Sequence, residues 1–99
     1  MRPALCIVLP VLDEAPTLAT RLRALEGLRR RGARVVVVDG GSQDNTLAIA
    51  RQHADLALLA PRGRASQMNA GAAACPADVL LFLHADTVLP DNADLLVRR

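Results

Sequence analysis

Lysine, tryptophan and tyrosine are absent from this 99-residue sequence, and Phe82 is its one aromatic residue. A core must therefore be built from Leu, Val, Ile and Ala, and at 52% hydrophobic residues there is enough apolar material for one small domain over residues 1–99. Basic charge comes from Arg alone, and the formal net charge of +2 is too mild for a nucleic-acid surface. Cysteine is scarce: Cys6 and Cys75 lie far apart in the chain and flank no metal-binding spacing. Each sits in an apolar segment, so buried free thiols in a reducing cytoplasm are expected. No apolar run approaches membrane-spanning length, and Met1-Arg2 before Leu5–Leu9 does not make a signal peptide.

What is present is alternation. Leu5–Leu9 reads as a buried strand ended by Pro10, and Val35–Val38, four β-branched residues in a row, as the clearest strand. Leu56–Leu59 and Val79–Leu83 are two more short apolar runs. Between them lie helical stretches. Pro16 suits a first turn, Leu18, Leu22, Leu25 and Leu28 share one face, and Gly32 supplies the stop. Ser42 is the expected N-cap, with Asp44 in the first turn, of a helix over about 45–53. Residues from Arg64 to Cys75 form a helix of small residues, and another begins at Pro90. Arg29-Arg30-Arg31 and His53 read as solvated helix ends. The order β-α-β-α-β-α-β-α predicts an α/β fold, a mostly parallel sheet of about four strands flanked by helices.

Every strand in that order ends in unusual chemistry: Pro10–Glu14, Asp39–Asp44, Arg62–Arg64 and His84–Asp86. In a parallel sheet these ends share one edge, where open α/β sheets bind ligands. Asp39 accepts hydrogen bonds only and can read a base N–H or a ribose hydroxyl, and Gly40 and Gly41 let a ligand approach the backbone. Asp13 and Glu14 read equally as ligand contacts and as carboxylates suited to a helix N-terminus. Arg62 and Arg64 bracket Gly63 ahead of a helix N-terminus, a natural diphosphate clamp. Met68 reads as core packing, and Asn69 and Gly71 as residues for close helix–sheet approach. Asp86 can hold a divalent cation whose shell phosphate oxygens complete, and His84 would add an imidazole that Mn2+ tolerates better than Mg2+.

Four segments in order carry a resemblance: Val8-Leu-Pro-Val-Leu-Asp-Glu14, Val37-Val-Asp-Gly-Gly-Ser-Gln-Asp44, Gly63 through Asn69-Ala-Gly71, and Phe82-Leu-His-Ala-Asp86. Together they resemble the nucleotide-binding half of family 2 glycosyltransferases, which have the Rossmann-like GT-A fold, in a bacterial subgroup with a His-Ala-Asp version of the Asp-x-Asp motif. The resemblance spans essentially the whole chain. It implies inverting transfer of a sugar from a nucleoside diphosphate sugar, with UDP the expected nucleotide, to an unknown acceptor, using Mn2+ or Mg2+. The resemblance implies nucleotide contacts at Pro10, Val11, Glu14, Asp39 and Gly63, with Asn69 and Gly71 closing the third motif, and a metal ligand at Asp86; Gly40, Arg64 and Ala85 are expected beside them at the nucleotide and His84 at the metal.

Three departures from the family pattern stand out. His84 replaces the usual first Asp of the metal motif, Met68 replaces a common Arg before the Asn, with Arg64 as substitute, and Asp13 replaces the usual Asn before Glu14. The family's general base and acceptor elements follow the metal motif, so they are expected beyond Arg99, and no catalytic residue is assigned within the chain. The chain alone is expected to be an inactive donor-binding fragment, cytoplasmic or drawn to a membrane by its acceptor, and prone to dimerise or domain-swap through an uncovered strand edge. A non-catalytic nucleotide-sugar-binding module on the same fold is the alternative. A Rossmann dehydrogenase is disfavoured, because no G-x-G-x-x-G follows the first strand.

Overall fold

The two longest strands form where the chain is most apolar. In the computed structural model, which describes residues 3–84, β1 (Leu5–Val11) and β2 (Arg34–Asp39) lie side by side at the sheet centre. They run parallel from Cys6↔Arg34 to Val11↔Asp39. The shorter β3 (Leu56–Leu59) pairs with β2, and β4 (Val79–Phe82) with β1, both parallel, giving the order β3-β2-β1-β4. The expected α/β architecture with a parallel sheet is therefore the observed one. The Asp86 tip and the helix expected from Pro90 lie outside the described residues.

Side chains alternate across the sheet with the strand period of two. One face carries Leu5, Ile7, Leu9, Val11, Val35 and Val37, all buried. Against it pack α1 (Ala15–Arg23), α2 (Glu26–Arg30) and α3 (Thr46–His53), through Leu18, Leu22, Leu25, Leu28 and Ala50. Each buried Leu or Val of this kind contributes about 1.5–3 kcal/mol of transfer free energy. The other face carries Cys6, Val8, Val36 and Val38 and is covered by α4 (Arg64–Ala74).

Three expectations are corrected here. Pro10 does not end the first strand, which continues through Pro10↔Val38 to Val11. Val8 turns its carbonyl towards β4, where Leu83 donates to it at 2.9 Å. Pro10 turns the same way but lies past the last pair, Val8↔Phe82, so its missing N–H removes no described ladder bond. Nor do the four spaced leucines form one helix. The chain tightens at Ala24–Leu25, where Leu25 N–H bonds the Leu22 carbonyl at 3.0 Å, and α2 starts afresh at Glu26. Finally, the cysteines are not free. Cys6 on β1 and Cys75 at the end of α4 form a disulfide with Cα atoms 6.5 Å apart, because Cys6 faces the side of the sheet that α4 crosses.

Arg29 is likewise not left to solvent. It forms a two-pronged ion pair with Asp55, Nε to Oδ2 at 3.1 Å and Nη2 to Oδ1 at 2.9 Å, and its Nη1 donates to the His53 carbonyl at 2.8 Å. Asp55 Oδ2 also accepts the Val35 N–H at 2.7 Å, so this pair seats the α2 end against the entries to β2 and β3.

Close approach of α4 to the sheet depends on Gly71. A Cβ there would lie 2.3 Å from Val8 Cγ1 and 3.1 Å from Val38 Cγ2, both on buried strands. Gly71→Ala is expected to cost about 1–3 kcal/mol by overpacking, read as a lower denaturant midpoint with unchanged slope. For the disulfide, thiol titration of the unreduced, unfolded chain is expected to find no free thiol. Reduction should then expose both cysteines and cost about 2–4 kcal/mol of stability.

Candidate functional site

β1 and β2 end level with each other, which delivers the 11–15 and 39–45 loops to one place. These loops are stitched together by side chains. Asp13 adopts φ 51°, in the left-handed region that Asp and Asn tolerate better than other non-glycine residues. From there its Oδ1 accepts the backbone N–H of Gln43 at 2.7 Å and of Asp44 at 3.4 Å. In return, Asp13 N–H bonds Ser42 Oγ at 2.8 Å, Glu14 N–H bonds Thr46 Oγ1 at 2.8 Å, and Ala15 N–H bonds Asp44 Oδ2 at 3.2 Å. Helix α1 has no cap from its own N-cap residue, so the α3 loop supplies acceptors for its free N–H groups.

Ser42 is not the cap of α3 that its position predicts. Helix α3 begins at Thr46 with Asn45 as N-cap, and Ser42 instead turns back onto Asp39. Asp39 closes β2 and is 1% exposed. Its carboxylate accepts the Ser42 N–H at 3.1 and 3.2 Å and the Ser42 hydroxyl. A carboxylate has about four lone-pair sites, so acceptor capacity remains after these contacts. Asp44 is not merely a first-turn charge: it bonds both Thr46, through N–H at 3.0 Å and hydroxyl, and Ala15 on the other helix.

The third loop brings in Gly63. It adopts φ 142°, a conformation that side-chain-bearing residues avoid, and leads into the N-terminus of α4. No side-chain cap bond closes that terminus, and Arg62 and Arg64 are exposed on either side of Gly63. Ser66 folds its hydroxyl back to the carbonyls of Pro61 and Gly63. Pro10 and Glu14 are half-buried and Val11 is buried, all at the same sheet edge.

Gln67 carries a role that the sequence reading leaves unassigned. It is 5% exposed, donates to the Val11 and Val38 carbonyls at 3.0 and 2.9 Å, and accepts the Gly63 N–H at 3.1 Å. A Cβ on Gly40 would lie 2.8 Å from its Oε1, so the space that the glycine leaves is held by this carboxamide. A polar residue in an Ala- and Gly-rich helix, one turn after a strand-end loop, is the signal that could have flagged it. Gly71 serves the close approach expected of it, Met68 is half-buried, and Asn69 is exposed.

His84 follows β4 and is exposed, whereas Ala85 and Asp86 lie outside the described residues. Among the described residues no group of three His, Cys, Asp or Glu side chains could hold a metal ion. A cavity of about 360 Å3 lined by Pro3, Arg34, Leu56 and Cys75, with others, opens at the opposite end of the strands. No helix among the described residues is long and apolar enough to cross a membrane.

Asp44 sets a pH dependence. The Thr46 hydroxyl, with the backbone N–H groups of Thr46 and Ala15, holds its carboxyl below the usual carboxylate range against a smaller opposing effect of burial. A carboxyl lowered in the folded state adds stability that is fully present above its unfolded value of about 3.9 and is lost as pH falls through the folded value. Thermal melts are therefore expected to separate wild type from Asp44→Ala at neutral pH and to draw together only as acid takes the pH below about 4 and on through the lower folded value.

Residues 6–97 match the family model described as Glycosyl transferase family 2. Uncharacterized glycosyltransferases of Mycobacterium tuberculosis and Mycobacterium bovis are 33% identical over 93 residues, which cover 93% of this chain and 40% of theirs. The chain thus spans about 40% of the length of these curated relatives. Among solved structures, the mannosyltransferase PcManGT from Pyrobaculum calidifontis, in complex with GDP-Man and Mn2+, superposes with TM-score 0.76 at 26% identity, covering 91% of this chain and 29% of that one. S. aureus TarS 1-349 in complex with UDP superposes with TM-score 0.75 at 18% identity over 99% of this chain and 31% of that one, a likeness of fold. The four-stranded parallel sheet with its flanking helices agrees with these GT-A, Rossmann-like structures, and the chain belongs to glycosyl transferase family 2.

Proposed function

We propose that residues 1–99 form the donor-binding half of a glycosyltransferase that takes a sugar from a nucleoside diphosphate sugar and passes it, with inversion, to an acceptor bound by elements outside this chain. The observation that carries this reading is the convergence of three loops on one sheet edge, ending in a helix N-terminus with two exposed arginines. The free N–H groups of the first turn of α4 and the Arg64 guanidinium suit the two phosphates. Val11, Pro10 and Glu14 would line one side of the nucleoside, and Asp39 would read its base. The carboxylate keeps acceptor capacity beside its bonds to Ser42, and a base N–H would use it. UDP is the nucleotide that the family resemblance implies, and the 26% identical PcManGT was solved with GDP-Man, so both nucleotide series enter the test.

A divalent cation, Mn2+ or Mg2+, is assigned to Asp86 with His84 beside it. His84 alone of the two is described, and the described residues hold no complete ligand set. Such an ion, where bound, would neutralise charge on the departing diphosphate. The chain's own residues hold the nucleotide, exclude water from its base, and present N–H and guanidinium donors to the phosphates. The disulfide removes the thiol-based ground for a cytoplasmic setting. Self-association of the isolated chain is proposed through β3 and β4, the sheet edges among the described residues, where Leu59, Leu80 and Phe82 are exposed.

Calorimetry of the full chain with UDP and GDP, with and without Mn2+, is the direct experiment. Tight metal-dependent binding is expected for one series, with Asp86→Ala losing most of the metal dependence and His84→Ala a smaller part. Unchanged metal dependence in Asp86→Ala would remove the metal assignment. Tight binding of a nucleoside diphosphate sugar with no hydrolysis or transfer, even by the longest native form of the protein, would favour a non-catalytic module.

A further inference from the structure

We propose that Gln67 is the positioning residue of the nucleotide site, setting the N-terminus of α4 against the ends of β1 and β2; this rests on the reading of Gly63 and Arg64 as the phosphate end. Its carboxamide is one of three polar or charged side chains that are buried among the described residues, with those of Asp39 and Thr46. Both Val11 and Val38 present carbonyl oxygens, which can only accept, and Gly63 presents an N–H, which can only donate. The partners thus dictate which end of the carboxamide is nitrogen, so the orientation is unique.

The three partners belong to three different segments. Val11 begins the loop that carries Glu14, Val38 precedes Asp39, and Gly63 precedes Arg64. Val11's carbonyl also accepts the Gly40 N–H at 3.1 Å, so β1, the start of the β2 loop and the α4 loop meet at one side chain. Gly40 leaves room for it, since a Cβ there would press on Oε1 at 2.8 Å, Cδ at 3.0 Å and Nε2 at 3.2 Å. An aliphatic residue of similar size could fill this volume but would not set the distance between α4 and the strand ends. That distance fixes where the first-turn N–H groups and Arg64 stand relative to a nucleoside lodged at Val11 and Asp39. Gln67 touches no ligand in this arrangement; it acts through the loops.

The test uses the full chain and the series uridine, UMP and UDP, with the guanosine series in parallel. Gln67→Met keeps the volume and removes all three hydrogen bonds. Measured well below its melting temperature, it is expected to lose UDP (or GDP) affinity about tenfold or more while the monophosphate changes by no more than about threefold, since the loss falls on contacts to charge. A residue that only stabilised the fold would lower the melting temperature and leave the diphosphate-to-monophosphate ratio where it was. Gly40→Ala keeps every hydrogen-bonding group but forces the carboxamide to shift, and should show the same selective loss to a smaller degree. It decides the matter if Gln67→Met does not fold. An unchanged ratio in the folded variants overturns the positioning role and leaves the nucleotide site standing. Absence of nucleotide binding by wild type in both series overturns the site itself and the positioning role with it.

Discussion

The parallel pairing of β1 with β2 is the constraint on which the rest depends. Because Val11 lies opposite Asp39, two buried strands stop at the same level and release their loops into the same space. Parallel pairing requires a crossover between them, which α1 and α2 supply on one face, and the return to β4 requires another, which α4 supplies on the opposite face. The meeting of these loops at one edge is therefore a consequence of strand register. A slip of one residue would turn Val35 and Val37 to the α4 side and break both core layers at once.

Polar groups at that edge are divided between holding loops and remaining available. Asp13 is committed to Gln43 and Asp44 N–H, and Asp44 to Thr46 and Ala15. That explains how Asp stands at position 13 where the resemblance expects Asn. Both contacts use one oxygen, Oδ1, which an Asn also has, and both residue types tolerate the left-handed backbone found there. Asp39 lies between the two roles, bonded to Ser42 yet with acceptor capacity left. The arginines flanking Gly63 remain exposed at an uncapped helix N-terminus. Structure is thus built from carboxylates accepting backbone N–H groups, and the groups left over are mostly donors, the complement that a diphosphate needs.

Much of this fold is legible in the sequence because its strands are nearly pure hydrocarbon. Val35–Val38 and Leu56–Leu59 need no tertiary information to be read, and strand-end chemistry follows from strand order. What escapes is whatever depends on contacts between segments distant in sequence. Ser42 looks like a cap because local chemistry favours it, but its hydroxyl donates to Asp39 and accepts the N–H of Asp13 from a loop 29 residues away. Cys6 and Cys75 look unrelated at a separation of 69 residues, and only the crossing of α4 over β1 brings them together. Pro10 looks like a strand stop, and is tolerated only because β4 is shorter than β1. The partners of Gln67 escape for the same reason, since they come from two strands and a loop, although a polar residue in a helix of such small residues is itself a signal.

Helix α4 shows how such contacts combine. Five of its eleven residues are Ala, beside Gly71, Ser66, Asn69 and Met68, so it brings little apolar surface to the sheet, and its two buried residues are Gln67 and Gly71. A helix so poor in large side chains cannot be located by hydrophobic burial alone, since burying an Ala contributes little compared with a Leu. Location comes instead from three devices spaced along about 12 Å of helix axis. The carboxamide of Gln67 fixes the end near the ligand loops, the bare Cα of Gly71 lets the middle press against Val8, and the disulfide at Cys75 ties the far end to β1. The first and last are directional and the middle one is steric, so together they leave the helix little freedom to slide or rotate. On the donor-binding proposal, such a helix needs that restraint more than a large buried area, because contacts from its N-terminus to phosphates would weaken steeply with a displacement of an ångström.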